Sequence, residues 1–189
     1  GVGKANAAAA TALALSTGTF GIVISIGIGG LLPVTRFSNA NKNLSLGDVV
    51  LANRTSFADE GVQTDDKFLP MHTIGFPLSS RDSDAFMPAS HVMLKLQSVV
   101  NAMVPVATVS TCSGTDVLAQ QVADRTECCV EAMEGAAVML VAARLGIPGA
   151  ELRVISNTTG SRKNQRWDLR LAFETLERLA AQLRSMDDA

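Results

Sequence analysis

Gly21-Ile22-Val23-Ile24-Ser25-Ile26, followed by Gly27-Ile28-Gly29-Gly30, decides the fold class of this chain. The first six residues are β-branched and apolar on both faces, as a central parallel strand must be when helices cover both sides of its sheet. The glycines that follow read as a turn at the strand's carboxyl end. The whole apolar run, Gly21 to Val34, is interrupted by Gly27, Gly29, Gly30 and Pro33 and is too short to cross the hydrocarbon core of a bilayer.

Working outward, Ala5 to Ser16 is an alanine- and leucine-rich helix entered through the turn Gly1-Val2-Gly3-Lys4. Asp48-Val49-Val50-Leu51-Ala52 is a second strand, and residues 56 to 90 are a long irregular excursion with at most short strands. His91 to Met103 is helical by its apolar spacing, and Val104 to Ser110 is a valine-rich strand. Thr115 to Asp124 forms a helix, Cys128-Cys129-Val130 a short strand, and Met133 to Leu145 a helix stopped by Gly146. Leu152 to Ser156 is another strand. The last helix, Trp167 to Arg184, puts Leu169, Phe173, Leu176, Leu179, Ala180 and Leu183 on one face. Alternation of helices with buried strands predicts one α/β domain over residues 1–189, a three-layer α/β/α sandwich with a mainly parallel central sheet. The chain opens in a glycine turn where a strand is expected to come first, so the domain is read as N-terminally incomplete.

The chain has 189 residues, 47% apolar and 18% charged, with a formal net charge of −2. That composition supports one sizeable core and excludes collagen-like and disordered chains. Without an excess of basic residues, neither nucleic acid nor a membrane surface is expected as partner, which leaves a small molecule and further subunits. Cys112, Cys128 and Cys129 give no disulfide framework and no spaced zinc pairs, and a reducing cytoplasm fits them. His72 and His91 have no acidic or cysteine neighbour at ligand spacing, so no metal is assigned.

In a parallel sheet ligands gather at the carboxyl ends of strands, here the loops after Ile26, Ser110, Val130 and Ser156. Gly27, Gly29 and Gly30 would let a ligand lie against bare backbone. Gly1 to Lys4 lacks the spacing of a P-loop and reads as a helix entry able to meet an anion. Glu131-Ala132-Met133-Glu134-Gly135-Ala136-Ala137 sets an acid beside a thioether at a helix start, where a carboxylate also serves the helix dipole. Ile155-Ser156-Asn157-Thr158-Thr159-Gly160 ends a core strand in an amide, which equally well begins a turn. Cys112 is placed to touch a substrate, but reads more simply as a small buried hydrophobe.

The Met133–Ala136 segment, the Ser156-Asn157 pair after a strand, the Gly27–Gly30 turn and Leu46-Gly47-Asp48-Val49 together resemble the nucleoside phosphorylase/nucleosidase superfamily. Within it, Ser110-Thr111 with Gly114-Thr115, Glu131 to Ala137, and Ile155-Ser156-Asn157 followed by basic residues and Trp167-Asp168 are most similar to the futalosine hydrolases of a menaquinone pathway. The resemblance spans nearly the whole chain. It implies cleavage of an N-glycosidic bond in a homo-oligomer without cofactor, with Asn157 and Glu134 as catalytic residues. Glu134 then corresponds to the carboxylate that takes the ribose 2′-hydroxyl, Met133 to the residue packed on the sugar, and Asn157 to the group at purine N7. The family's water-activating carboxylate falls upstream of residue 1, so the chain is expected to be a fragment of a longer enzyme, the alternative being a truncated relative without hydrolytic power.

Breaking an N-glycosidic bond builds positive charge on the ribose and negative charge on the base, so an enzyme must stabilise both. Adenine nucleosidases of the family carry an aspartic acid at the position of Asn157. An amide donates to N7 and O6, so Asn157 favours a 6-oxopurine such as the hypoxanthine of futalosine. Ser156 orients that amide, and Arg162, Lys163 and Arg166 are candidates to pair with the substrate's carboxylate. A purine nucleoside phosphorylase, a methylthioadenosine/S-adenosylhomocysteine nucleosidase and a catalytically silent nucleoside-binding module remain alternatives. A phosphorylase needs a phosphate site near the sugar, typically an arginine plus serine or backbone donors; the 27–30 turn has neither arginine nor serine, and Arg36 lies past it.

Overall fold

A computed structural model describes residues 1–33, 43–79 and 83–187, so Arg36 lies outside the described residues. The strands are β1 (Val23–Leu31), β2 (Val49–Phe57), β3 (Gly61–Gln63), β4 (Phe68–Pro70), β5 (Ala85–Phe86), β6 (Ala102–Thr108), β7 (Val130–Ala132) and β8 (Gly149–Thr158). The helices are α1 (Lys4–Leu15), α2 (Ser90–Leu96), α3 (Asp116–Thr126), α4 (Gly135–Arg144) and α5 (Leu169–Asp187). Every strand and helix named from the sequence is present. Several differ in extent: β1 continues through the glycines that read as a turn, β2 runs on to Phe57, β7 starts at Val130 rather than Cys128, and β8 is longer at both ends. The helix expected to reach Met103 ends at Leu96, one turn of 3₁₀ helix before β6.

The expected mainly parallel, three-layer sandwich is corrected to a mixed, partly closed sheet. β1 is parallel to β8 and antiparallel to β7, while β6 is parallel to both β2 and β7. β2 then returns to β8: Val49–Leu51 pair antiparallel with Val154–Leu152, and β5 extends the other end of β2. Irregularities in two long strands accompany this closure. Register shifts fall between Ala52 and Arg54 in β2 and between Gly29 and Gly30 in β1. Such shifts bend a strand and increase its twist, so one edge of the sheet meets the other and both are removed from solvent.

Strand side chains fill most of the inside of the ring, among them Val50, Val104, Val106, Val130 and Ile155, with Cys129 and the loop residues Leu44 and Leu46 packed against them. α2 and α5 cover Leu51, Leu152 and Val154 from outside, α3 covers Ala107 and Val109, and α1 and α4 pack with Phe57 and Phe86. Each fully buried Val or Leu contributes about 1.5–3 kcal/mol, so the ring interior is a principal source of stability. The stripe read on the last helix is displaced: Ala172 and Leu179 are buried, whereas Leu169 and Phe173 are exposed. No disulfide joins Cys112, Cys128 and Cys129, and burial pushes the Cys128 thiol up to about 11.

Candidate active site

The strand-end segments named from the sequence converge on one cleft of about 700 Å³. Gly27–Gly30, Cys112-Ser113, Glu131–Glu134 and Ser156-Asn157 all line it, together with Gly1, Val2, Arg153 and Phe173. A second cavity of about 730 Å³, between β5, α2 and the end of α4, has no carboxylate among the described residues that line it. The chemistry-bearing residues therefore share the first cleft.

At one place in this cleft β8 ends in an amide whose orientation is fixed. Asn157 Nδ2 donates to the Thr158 carbonyl at 2.9 Å, an oxygen that can only accept, which identifies the nitrogen end. Ser156 Oγ stands 2.8 Å from Asn157 Oδ1 and 3.3 Å from the Gly29 carbonyl, so its single proton goes to the nearer amide oxygen. One amide N–H is left for a ligand, rather than the two that donation to both N7 and O6 requires. Gly30 makes room for this arrangement, since a Cβ there would stand 2.9 Å from Asn157 Nδ2. Likewise a Cβ on Gly27 would stand 2.4 Å from Arg153 Nη1, and one on Gly29 2.7 Å from Val130. The bare backbone of β1 is thus occupied first by neighbouring side chains.

Glu134 is the N-cap residue of α4, but its carboxylate makes no capping bond. It accepts instead from Arg153 Nη1 at 3.0 Å and from the Gly3 N–H at 3.1 Å. The anion met by the helix entry at Gly1 to Lys4 is therefore intramolecular. Met133, partly buried, lines the cleft beside it. Arg153 is 2% exposed and directs Nε to Glu151 at 2.8 Å and Nη2 to Ser25 Oγ at 3.0 Å.

Glu131, Glu151 and Arg153 are buried charged residues in and beside the cleft to which the sequence reading gave no role. A signal existed: charged residues inside an otherwise apolar strand are almost never buried unless paired. Glu131 accepts from the backbone N–H and the hydroxyl of Ser113, which ties the 110–114 loop to β7. Burial raises its carboxyl above the usual range, against the lowering effect of those two bonds. Cys112, expected to be buried, is exposed at the cleft wall. Partial burial and then the Glu131 and Glu134 carboxylates raise its thiol, which leaves it protonated and weakly nucleophilic.

The basic loop divides. Arg162 lines the cleft with its guanidinium 5.2 Å from the centre of the Trp167 ring and Nη1 3.2 Å from Gln165 Oε1. Arg166 and Lys163 are exposed and outside the lining, and the Arg166 backbone serves to pair with Thr158. Sequence alone could not separate the three, since all sit within one polar loop.

The model of the phosphorylase superfamily matches residues 1–186. The futalosine hydrolase of Acidothermus cellulolyticus is 34% identical over 187 residues, covering 97% of this chain and 72% of the relative. That of Streptomyces coelicolor is 34% identical over 182 residues, covering 93% of this chain and 72% of the relative. The solved structure of the Helicobacter pylori futalosine hydrolase superposes with a TM-score of 0.75 at 19% identity, over 99% of this chain and 76% of that one. The Campylobacter jejuni 5′-methylthioadenosine/S-adenosylhomocysteine nucleosidase gives 0.76 at 16% identity, over 98% and 76%. At those identities the two structures speak to the fold, whose mixed α/β architecture they share with this chain. Motif order, family model and fold thus agree over almost every residue, and the chain belongs to the phosphorylase superfamily.

Proposed function

We propose that this chain is an N-glycosidase that hydrolyses a 6-oxopurine nucleoside, futalosine, to hypoxanthine and dehypoxanthine futalosine in menaquinone biosynthesis. The observation that carries this reading is Asn157, an amide with one N–H that meets no acceptor among the described residues, in the same cleft as the Glu134 carboxylate. The 34% identity to two futalosine hydrolases supports the same substrate. Asn157 donates to the purine as its charge grows, and Glu134 accepts the ribose 2′-hydroxyl and faces the cationic sugar. Met133 packs on the sugar and shields it from water. No helix among the described residues is long and apolar enough to cross a membrane. The enzyme in this reading is cytoplasmic and homo-oligomeric, and needs no cofactor.

Phosphorolysis is the weaker reading. Arg153 and Ser25 do stand beside Gly27, an arginine and a serine of the kind a phosphate site uses. But Arg153 is paired with two carboxylates, whose combined charge outweighs its own and repels an anion. The test is hypoxanthine release from futalosine by the full gene product, with and without phosphate, beside inosine and methylthioadenosine. Phosphate-independent release from futalosine is expected. Release only with phosphate moves the protein to the phosphorylases, and ligand-induced stabilisation without release makes it a silent binding module.

Arg162 is the candidate partner for the carboxylate of futalosine, since of the three basic residues it alone lines the cleft. Arg162→Ala is expected to raise KM for futalosine about fivefold, the scale of a partly exposed ion pair, and to leave KM for uncharged inosine unchanged. Steady-state kinetics on Lys163→Ala and Arg166→Ala provide the comparison, with no change expected. Equal effects on both substrates would remove the ion pair from this reading.

A further inference from the structure

Glu151 is fully buried and outside the cleft lining, yet it belongs to the charged group that reaches the site. One of its oxygens accepts from Arg153 Nε at 2.8 Å, and the other from Thr55 Oγ1 at 2.7 Å. The seat is tight enough to dictate a neighbour: a Cβ on Gly135, the first residue of α4, would stand 2.0 Å from this carboxylate. Glu151 and Arg153 alternate with Leu152 and Val154 in a strand whose other residues are apolar from Ala150 to Ile155.

Burying an arginine requires a carboxylate to offset it, and Glu134 alone would suffice. A simple Arg153–Glu134 pair would be neutral. With Glu151 added, the group carries a formal charge of minus one, at the cost of desolvating a further ion. Of its members, Glu134 and Arg153 reach the cleft, so the excess negative charge is presented there.

We propose that Glu151 is a positioning residue for glycosidic cleavage, acting through Arg153. It neutralises the guanidinium that holds Glu134, so that Glu134 is fixed in place without losing its charge. In the step it serves, the C1′–N9 bond breaks with its electron pair passing to the purine. The oxygen of water bonds to C1′, and the proton that water loses ends on a purine nitrogen. Positive charge on the ribose peaks between those events, and the net charge of the Glu151–Arg153–Glu134 group stabilises it. This inference rests on the nucleosidase reading above.

Calorimetric titration of the full chain with two ligands tests it: inosine, which is neutral, and an iminoribitol carrying a hypoxanthine-like base, which is cationic at its ring nitrogen. In Glu151→Gln the affinity ratio of cationic to neutral ligand is expected to fall about tenfold, as for loss of one nearby unit charge. Glu151→Asp, which retains the charge, is expected to keep the wild-type ratio. The double variant Glu151→Gln/Arg153→Gln removes a neutral pair and is also expected to keep it, even if both affinities drop. That double variant leaves no orphaned charge, so a ratio lost in it overturns the inference even if Glu151→Gln alone does not fold. An unchanged ratio in Glu151→Gln, or a ratio lost equally in the double variant, overturns the inference and leaves the nucleosidase reading intact. A wild-type chain that binds neither ligand overturns the nucleosidase reading itself.

Discussion

Asn157→Asp is expected to lower kcat/KM for hypoxanthine release at neutral pH about a hundredfold or more, the scale of losing one donor aimed at developing charge. The aspartate is an acceptor only, and it faces purine N7 and O6, which are acceptors as well. Ser156 Oγ, now 2.8 Å from the amide oxygen, continues to donate and so favours the ionised form. The carboxyl must then be protonated to act, and the residual activity toward hypoxanthine should rise as pH falls. Adenine nucleosides should lose far less, because a carboxylate oxygen can accept from the 6-amino group that hypoxanthine lacks. A second effect is structural: the Thr158 carbonyl loses the donor that Nδ2 supplies at 2.9 Å. Leaving that oxygen unsatisfied costs about 1–3 kcal/mol, visible as a lower melting temperature. Relative kcat/KM values for inosine and adenosine across pH 5 to 8, set beside Asn157→Ala, are the measurement. Equal losses for both nucleosides would make Asn157 a structural residue and remove the argument for a 6-oxopurine.

The residues that carry this prediction were legible in the sequence; the way they are held was not. Asn157 and Glu134 stand out because an amide and an acid follow buried strands with small residues behind them. Gly27 to Gly30 read as a turn because glycine is costly inside a strand unless another group needs the space. The groups that need it, Arg153 on β8 and Asn157 beyond a bulge, lie more than a hundred residues away. Closure of the sheet was hidden for a similar reason. Only the apolar half of β2 reads as strand, whereas Thr55 and Ser56 look like loop residues. Both are buried, and Thr55 is satisfied by Glu151, a partner ninety-six positions along the chain. Local pattern reports which residues are apolar. It does not report which polar residues find each other inside a ring of strands.

Glu134→Gln is expected to reduce kcat/KM for ribonucleosides by about 10² to 10³, with a much smaller change in stability. The substitution keeps the shape of the side chain but removes the negative charge directed at the ribose. It also presents an amide N–H to a place now supplied with two donors, Arg153 Nη1 at 3.0 Å and the Gly3 N–H at 3.1 Å. The side chain can satisfy those donors only with its oxygen, which turns its remaining hydrogens toward the sugar hydroxyls and the growing cation. Stability is spared because Arg153 keeps Glu151 at 2.8 Å, so no buried charge is orphaned. A 2′-deoxynucleoside provides the discriminating comparison. It lacks the hydroxyl that Glu134 accepts, so the wild-type enzyme is already impaired on it, and Glu134→Gln should cost it less than it costs the ribonucleoside. If the variant instead melts well below the wild type and loses both substrates in proportion, Glu134 is a strut between α4 and the Gly1–Lys4 turn. The water-shielded face beside Met133 would then need another group to meet the sugar.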